Sequence, residues 1–315
     1  VAVIAMDGRT LRITLGPVPY LWDGEAWRDF YFRIADCAWI DAVTLGEVVC
    51  SKRLHFTQPF IDAVATRLAD AGKEVSLASM AMVTLEREAM LTRRLVEASP
   101  WPVEANDLSA LGLLSGRPHL IGPFVNVYNG ATARMLANRG ATRICLGPEL
   151  PLASVSEIIA TAPGVDFEVF AFGRLPLAIS ARCAHARAKG NSKDNCQFVC
   201  QDDPDGLAVD TLDGQSFLTL NGVQTMSHTC QVLLAELPAL QRAGVSHIRL
   251  SPQHCDMAEV AEVFAHVRDG RIDAAEGEAR LRAIYPDVPF SNGFHHGTTG
   301  AAWLPAGAAA EQVPA

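Results

Sequence analysis

Asp41-Ala-Val-Thr-Leu45, then Gly46, the stretch Thr57-Gln-Pro-Phe-Ile-Asp-Ala-Val-Ala-Thr-Arg-Leu-Ala-Asp-Ala71, Gly72 and Glu74-Val-Ser-Leu-Ala-Ser79 decide the fold. A short apolar, β-branched run leaves through a glycine, as a strand does at its loop exit. In the middle stretch Thr57 is placed to cap a helix and Pro59 sits in its first turn. Phe60, Ile61, Val64 and Leu68 recur at helical spacing, and Gly72 ends the helix. A second strand follows. Strand, helix and strand in this order form the repeating unit of a parallel sheet.

The same alternation extends in both directions. Strand-like runs lie at 11–15, 41–45, 74–79, 102–105, 119–127, 143–146, 167–172 and 247–251. Helical patterns lie at 25–38, 57–71, 85–98, 131–139, 154–162, 231–243 and 257–267. Eight strands alternating with helices predict an α/β fold, a (β/α)₈ TIM-like barrel. The competing open doubly wound sheet lacks its Gly-x-Gly-x-x-Gly turn after the first strand. We therefore expect one barrel domain over 11–295. An insertion at about 177–245, after the seventh strand, interrupts it and holds a further strand-like run at 216–223. Residues 296–315, rich in Ala, Gly and Pro, read as a C-terminal tail. No internal repeat of fixed period is visible.

The chain of 315 residues carries a net charge of −9, is 49% hydrophobic and 19% charged. That composition builds a full core and is not that of a disordered chain. The acidic balance argues against binding nucleic acid through phosphate neutralisation. No apolar run reaches the roughly 18 residues of a membrane span. The first 14 residues are too poor in apolar side chains for a secretory segment. Eight cysteines are too sparse for a disulfide scaffold, which gives a cytoplasmic expectation.

Three of the cysteines crowd together as Cys183-x₁₂-Cys196-x₃-Cys200. Three thiolates need a fourth ligand to close a zinc or iron–sulfur site. Cys50 is the candidate, because the loop after the second strand opens on the C-terminal face of a barrel, as do the loops after the seventh. Arg53, Arg182, Arg187 and Lys193 are near enough in sequence to offset thiolate charge and lower thiol pKa values. On residues alone, zinc and an iron–sulfur cluster stay open, since the spacing matches neither a zinc ribbon nor a ferredoxin run. Cys37, Cys145, Cys230 and Cys255 read as structural. The histidines are scattered, and none is spaced for a mononuclear metal site.

Phe167-Glu-Val-Phe-Ala-Phe-Gly173 and Leu175-Pro-Leu-Ala-Ile-Ser-Ala-Arg-Cys183 resemble the signature of the U32 peptidase family. Further matches are Leu15-Gly-Pro-Val18, Leu45-Gly-Glu-Val-Val-Cys-Ser-Lys-Arg53, Glu104-Ala-Asn-Asp-Leu108, Asn126-Val-Tyr-Asn129, Asp194-Asn-Cys196, Leu220-Asn-Gly-Val-Gln-Thr-Met-Ser227, Arg249-Leu-Ser-Pro-Gln253 and Asn292-Gly-Phe294. Together they span roughly 12–295. Within the family, the Gly-Glu-Val-Val-Cys-Ser-Lys-Arg string is similar to members of O₂-independent ubiquinone biosynthesis. The resemblance implies a four-iron, four-sulfur (4Fe-4S) cluster on Cys50, Cys183, Cys196 and Cys200. It implies a heterodimer with a UbiU-like subunit and anaerobic hydroxylation of a ubiquinone precursor. Prephenate is the implied oxygen donor, as in relatives that hydroxylate RNA. The Cys-Pro-Ala-Gly turn of the UbiU-like members is absent, and neither the ends of the chain nor His254-Cys255 matches a motif.

Polar residues near predicted strand ends are candidates for a site at the barrel mouth: Glu47, Glu104, Asn126, Tyr128, Asn129, Glu149, Asn221, Gln224, Arg249 and Gln253. Arg249, Glu104, Asn126 and Tyr128 are the catalytic candidates, with Arg249 suited to pairing with a donor carboxylate. Each also has a plainer reading as a loop-capping hydrogen bond. Proteolysis finds little support. There is no His-Glu-x-x-His and no Gly-x-Ser-x-Gly, and nothing in the sequence orients His55 as a base for Cys50. A non-catalytic iron–sulfur subunit that supports a UbiU-like partner is the alternative.

Overall fold

Thr14 pairs in parallel with Ala42, Val43 with Val75, and Leu77 with Val103, beginning a ladder that continues around the molecule. In the computed structural model, which describes residues 10–305, the strands are β1 (Arg12–Leu15), β2 (Ala42–Leu45), β3 (Glu74–Ala78), β4 (Val103–Ala105), β5 (His119–Ile121), β6 (Ala141–Cys145), β7 (Asp166–Ile179), β8 (Leu207–Asp210), β9 (Ser216–Asn221), β10 (Gln224–Val232), β11 (His247–Leu250) and β12 (Phe290–Ser291). Strands β1 to β7 pair in sequence order. β11 lies between β7 and β1, parallel to both, and closes the sheet. This is the expected eight-stranded (β/α)₈ barrel.

Helices cover the outside of the barrel. The Gly24–Asp36 helix shows why they form. Asp23 caps it by accepting from the backbone N–H groups of Glu25 and Ala26 (2.9 and 3.2 Å), and Trp27, Phe30, Tyr31 and Ile34 make one buried stripe. Full burial of each such side chain contributes about 1.5–3 kcal/mol. Gly24 leaves no room for more: a Cβ there would lie 2.3 Å from the Phe56 carbonyl oxygen.

β7 is 14 residues long and runs beyond the barrel. Its far half pairs antiparallel with β10, which pairs with β9, and β9 with β8. The cysteine-bearing segment lies between β7 and β8 and leads into this antiparallel extension.

Several element bounds differ from expectation. The predicted 57–71 helix starts as a short turn of helix at Leu54–Thr57 and a 3₁₀ turn at Gln58–Phe60, and becomes regular only over Ile61–Asp70. Thr57 therefore makes no side-chain cap. The 119–127 strand stops at Ile121, because Pro123 cannot donate to a ladder and opens a 3₁₀ turn. The first part of the predicted 231–243 helix belongs to β10, and only Leu237–Ala243 is helical.

The expected 296–315 tail is docked at Leu304, with whose backbone Asn292 exchanges hydrogen bonds (2.8 and 2.9 Å). The rest of the tail, 306–315, and most of the segment weighed as a secretory signal, 1–9, lie outside the described residues. Among the described residues, no helix is long and apolar enough to cross a membrane.

Candidate functional site

Cys50 follows β2 at the C-terminal end of the barrel. Glu47 shapes its loop by accepting from the backbone N–H groups of Val49 (2.7 Å) and Cys50 (2.9 Å). Cys183 follows β7 and precedes the short Ala184–Ala188 helix, where its Sγ accepts from the Ala186 N–H (3.3 Å). Between Cys196 and Cys200, Gln197 and Phe198 both take the left-handed backbone (φ 48° and 55°), which bends the chain sharply back. All four cysteines line one tight recess with about 20 Å³ of free space. Two lysines tie its loops together. Lys52 Nζ donates to the carbonyls of Lys193 (2.6 Å) and Asp194 (3.1 Å), and Lys193 Nζ to that of Ala181 (2.7 Å).

The basic surroundings differ from those expected. Arg182 and Arg187 are exposed and do not line the recess. Arg53 does, at 1% exposure. The effect on thiol acidity is also opposite to expectation. Burial pushes the Cys50 and Cys200 thiols up; Glu47 adds to the rise at Cys50, and the Arg53 guanidinium offsets it only in part. Among the described residues, no group of three or more His, Cys, Asp or Glu side chains is placed to hold a metal ion. The donor set of the recess nevertheless fits a thiolate-ligated group. The recess offers four sulfur donors and, in Arg53 Nε, a buried donor with no hydrogen-bond partner among the described residues.

Beside this recess, at the barrel mouth, is a narrow chamber with about 30 Å³ of free space, where Glu104, Arg174, Gln224 and Arg249 stand among apolar walls that include Phe124, Phe170 and Met226. Each of the three guanidinium nitrogens of Arg249 is hydrogen-bonded within the protein. Its Nη1 donates to Glu104 Oε1 (3.1 Å), Nη2 to Glu104 Oε2, and Nε to Glu168 Oε1. Asn106 Nδ2 also donates to Glu104 Oε1 (3.1 Å).

The structure sorts the remaining candidates by place. Asn221 and Glu47 stand beside the cysteine recess, where Asn221 Oδ1 accepts from Arg53 Nη2 (2.9 Å). Gln253 is buried and accepts from Tyr20 Oη (2.8 Å). Asn129 caps the Gly130–Asn138 helix through the Thr132 N–H (2.9 Å). Asn126 and Tyr128 do not line the chamber. Tyr128 donates to Glu149, and burial together with that carboxylate raises its phenol to about 12.

Residues 30–303 match the sequence profile of Peptidase family U32. The chain belongs to that family. Two curated relatives, each named tRNA hydroxylation protein P, share part of the U32 sequence. That of Haemophilus influenzae is 29% identical over 79 residues, and that of Escherichia coli 30% over 79. In both cases the match takes in 24% of this chain and 17% of the relative, so the chain spans less than a fifth of their length. A truncated 3-deoxy-D-arabino-heptulosonate 7-phosphate synthase from Thermotoga maritima aligns over 92% of this chain and 93% of its own, at 10% identity and a TM-score of 0.35.

The geometry does not turn His55 to Cys50 as a cysteine-protease base. His55 directs Nδ1 to the Lys52 carbonyl (2.8 Å) and packs its ring on Phe198 (centroids 5.1 Å apart), rather than serving the Cys50 thiol. Sequence reasoning missed three residues of the U32 mouth: Arg174, Asn106 and Glu168. A signal existed for the last. A carboxylate inside Phe167-Glu-Val-Phe has to point into the lumen and find a cation there.

Proposed function

We propose that this U32 protein is a UbiV-type iron–sulfur subunit of an O₂-independent hydroxylase. It acts on a ubiquinone precursor with a UbiU-like partner and uses prephenate as oxygen donor. The observation that carries the reading is the meeting of Cys50, Cys183, Cys196 and Cys200, from two distant segments, in one recess. Four sulfur donors match the four ligand positions of a four-iron cluster, and the resemblance of the cysteine-bearing segments favours that cluster over zinc. The hydroxylation in the relatives' names points to the same class of chemistry.

Cys50, Cys183, Cys196 and Cys200 would hold a 4Fe-4S cluster, which would supply one-electron transfer rather than substrate binding. The chamber's side chains take that part. Phe124, Phe170 and Met226 offer an apolar wall to a ring and keep water out. Glu104, oriented by Arg249 and Asn106, is placed to accept a hydrogen bond or proton from a ring hydroxyl. Because Arg249 is occupied by Glu104 and Glu168, its role is to orient. Arg174 is the cation left to meet a donor carboxylate, since its Nε has no hydrogen-bond partner among the described residues.

Anaerobic co-expression with a UbiU-like subunit tests the reading. The two chains should copurify, brown, with iron and sulfide. Alanine at Cys183, Cys196 or Cys200 should remove most of the iron, and label from prephenate should enter the ring. Zinc in place of iron, or iron unchanged by every substitution, overturns the cluster. Full activity of the partner with the cysteine variants assigns this chain a supporting role.

A further inference from the structure

The geometry points to Arg53 as the residue that sets the cluster's reduction potential, by donating a hydrogen bond from its guanidinium to the Cys200 sulfur. This rests on the iron–sulfur reading above.

Arg53 is among the largest fully buried side chains of the protein. A buried guanidinium survives only where its donors are met. Nη1 donates to the Pro19 carbonyl (2.9 Å) and Nη2 to Asn221 Oδ1 (2.9 Å). The remaining side of the group lies in the recess that Cys200 also lines, its charge partly offsets the rise of the Cys200 thiol, and Nε has no hydrogen-bond partner among the described residues. Glu47, the carboxylate that acts on Arg53, has one oxygen occupied by two backbone N–H groups of the Cys50 loop. The β9–β10 turn is shaped around the guanidinium. Gly222 has φ +62°, and a Cβ there would lie 2.5 Å from Arg53 Nη2. The lysines of the recess differ, since Lys52 and Lys193 direct their charge to backbone carbonyls. Among the described residues that line the recess, Arg53 is the buried cation.

Reduction adds one electron, and hence one negative charge, to the cluster. A fixed cation and an N–H donor at a thiolate stabilise that extra charge more than they stabilise the oxidised form, which raises the potential. No proton moves and Arg53 keeps its charge. Asn221 extends the arrangement, as its Nδ2 also reaches Gln224 Oε1 (3.3 Å), a residue of the mouth chamber. The electron-transfer group and the chamber therefore share one polar wall.

The test is a dithionite titration, followed by electron paramagnetic resonance, of the anaerobically purified heterodimer carrying wild-type chain, Arg53→Gln, Arg53→Lys or Gly222→Ala. Arg53→Gln with full iron should favour the oxidised cluster at least tenfold, a shift of about 59 mV to more negative potential. Arg53→Lys, which keeps the charge, should shift less. Gly222→Ala, which displaces the guanidinium, should shift in the same direction as Arg53→Gln. An unchanged potential in Arg53→Gln at full iron content overturns this proposal and leaves the iron–sulfur reading standing. Loss of iron from all three variants makes Arg53 a structural prop and also overturns it. A wild-type protein without a cluster overturns both.

Discussion

Glu168 is ion-paired to Arg249 through Oε1, and its Oε2 lies 3.4 Å from Arg143 Nε. The pairing belongs to a longer series of alternating charges. Arg12 pairs with Glu74 (3.0 Å), Glu74 with Arg143 (3.1 Å), Arg143 with Glu168, Glu168 with Arg249, and Arg249 with Glu104. The strand register puts all six side chains on the lumen face of the sheet, so the series runs from the N-terminal end of the barrel to its mouth. Barrels of this kind usually fill the lumen with branched apolar side chains. Here three arginines and three glutamates do much of that work, and their charges balance.

The two ends of the series should respond very differently to mutation. Arg249→Met leaves Glu104 without its guanidinium and Glu168 with only Arg143, both in the interior, and should cost about 3–5 kcal/mol. Arg12→Ala breaks a pair whose side chains are 42% and 39% exposed, where solvent screening reduces the cost to at most about 1 kcal/mol. Urea unfolding of both variants checks the contrast. Equal midpoints would show that the mouth pair is not the anchor of the series.

Acid should act through the same residue. Burial raises the Glu168 carboxyl, but Arg249 and Arg143 outweigh it and hold the group down to about 2. A carboxylate held below its unfolded value contributes stability that is complete above that value, near 4.5, and is lost as pH falls through the folded one. The contribution is on the order of 3 kcal/mol. Stability should therefore drop between about pH 4.5 and 2, and the drop should be shallower in Glu168→Gln, measured by urea midpoints across that range.

All eight barrel strands were legible in the sequence, because strands buried on both faces are written as short apolar runs. The cysteine recess was legible for a related reason: a barrel gathers the loops after its strands at one end, so Cys50 and Cys183 could be placed together from strand order alone. The charged series was not. Glu168 and Arg143 are single charges inside apolar runs, and their pairing depends on the stagger of strands far apart in sequence. β8 and β10 were also missed, since their residues alternate weakly and belong to an extension with no counterpart in the barrel repeat. Leu108–Leu114 escaped because Gly112 interrupts an already short helix.

A histidine should control stability nearer neutrality. His295 is buried, its Nε2 has no hydrogen-bond partner among the described residues, and desolvation, with the charge of His296 added, lowers its pKa to about 4. The unfolded chain takes up that proton near 6.5 and the folded one does not, so stability is complete above 6.5 and falls as pH drops towards 4. One such site changes stability by about 1.4 kcal/mol per pH unit within the window. His119, His185 and His247 are lowered as well, burial being the first cause in each, and add to the same slope. His295→Phe, close in size and without the imidazole, should flatten the dependence between pH 6 and 4 by up to one proton. An unaltered slope would mean that His295 titrates normally in the folded protein.

If the chain acts as proposed, with a UbiU-like partner, an iron–sulfur cluster and prephenate as donor, the mouth arginines should separate donor binding from architecture. Arg174 donates through Nη1 to the Ser227 carbonyl (3.3 Å) and through Nη2 to Asp205 (3.4 Å), which leaves Nε free of hydrogen bonds to the described residues at the chamber wall. A charge-assisted bond to a substrate carboxylate contributes about 1.5–3 kcal/mol, so Arg174→Gln should raise the KM for prephenate by roughly 10- to 150-fold. Its kcat should fall much less, because the contact is made as strongly before the reaction as during it. Arg249→Lys should behave otherwise. A lysine cannot reproduce a guanidinium that bridges two carboxylates, so Glu104 loses its orientation and kcat should fall while the KM for prephenate changes little. Steady-state kinetics of the two heterodimers at matched iron content decides the matter. If Arg249→Lys carries the KM effect and Arg174→Gln carries none, the donor carboxylate binds at Arg249 and the Glu104–Arg249–Glu168 bridge opens during turnover.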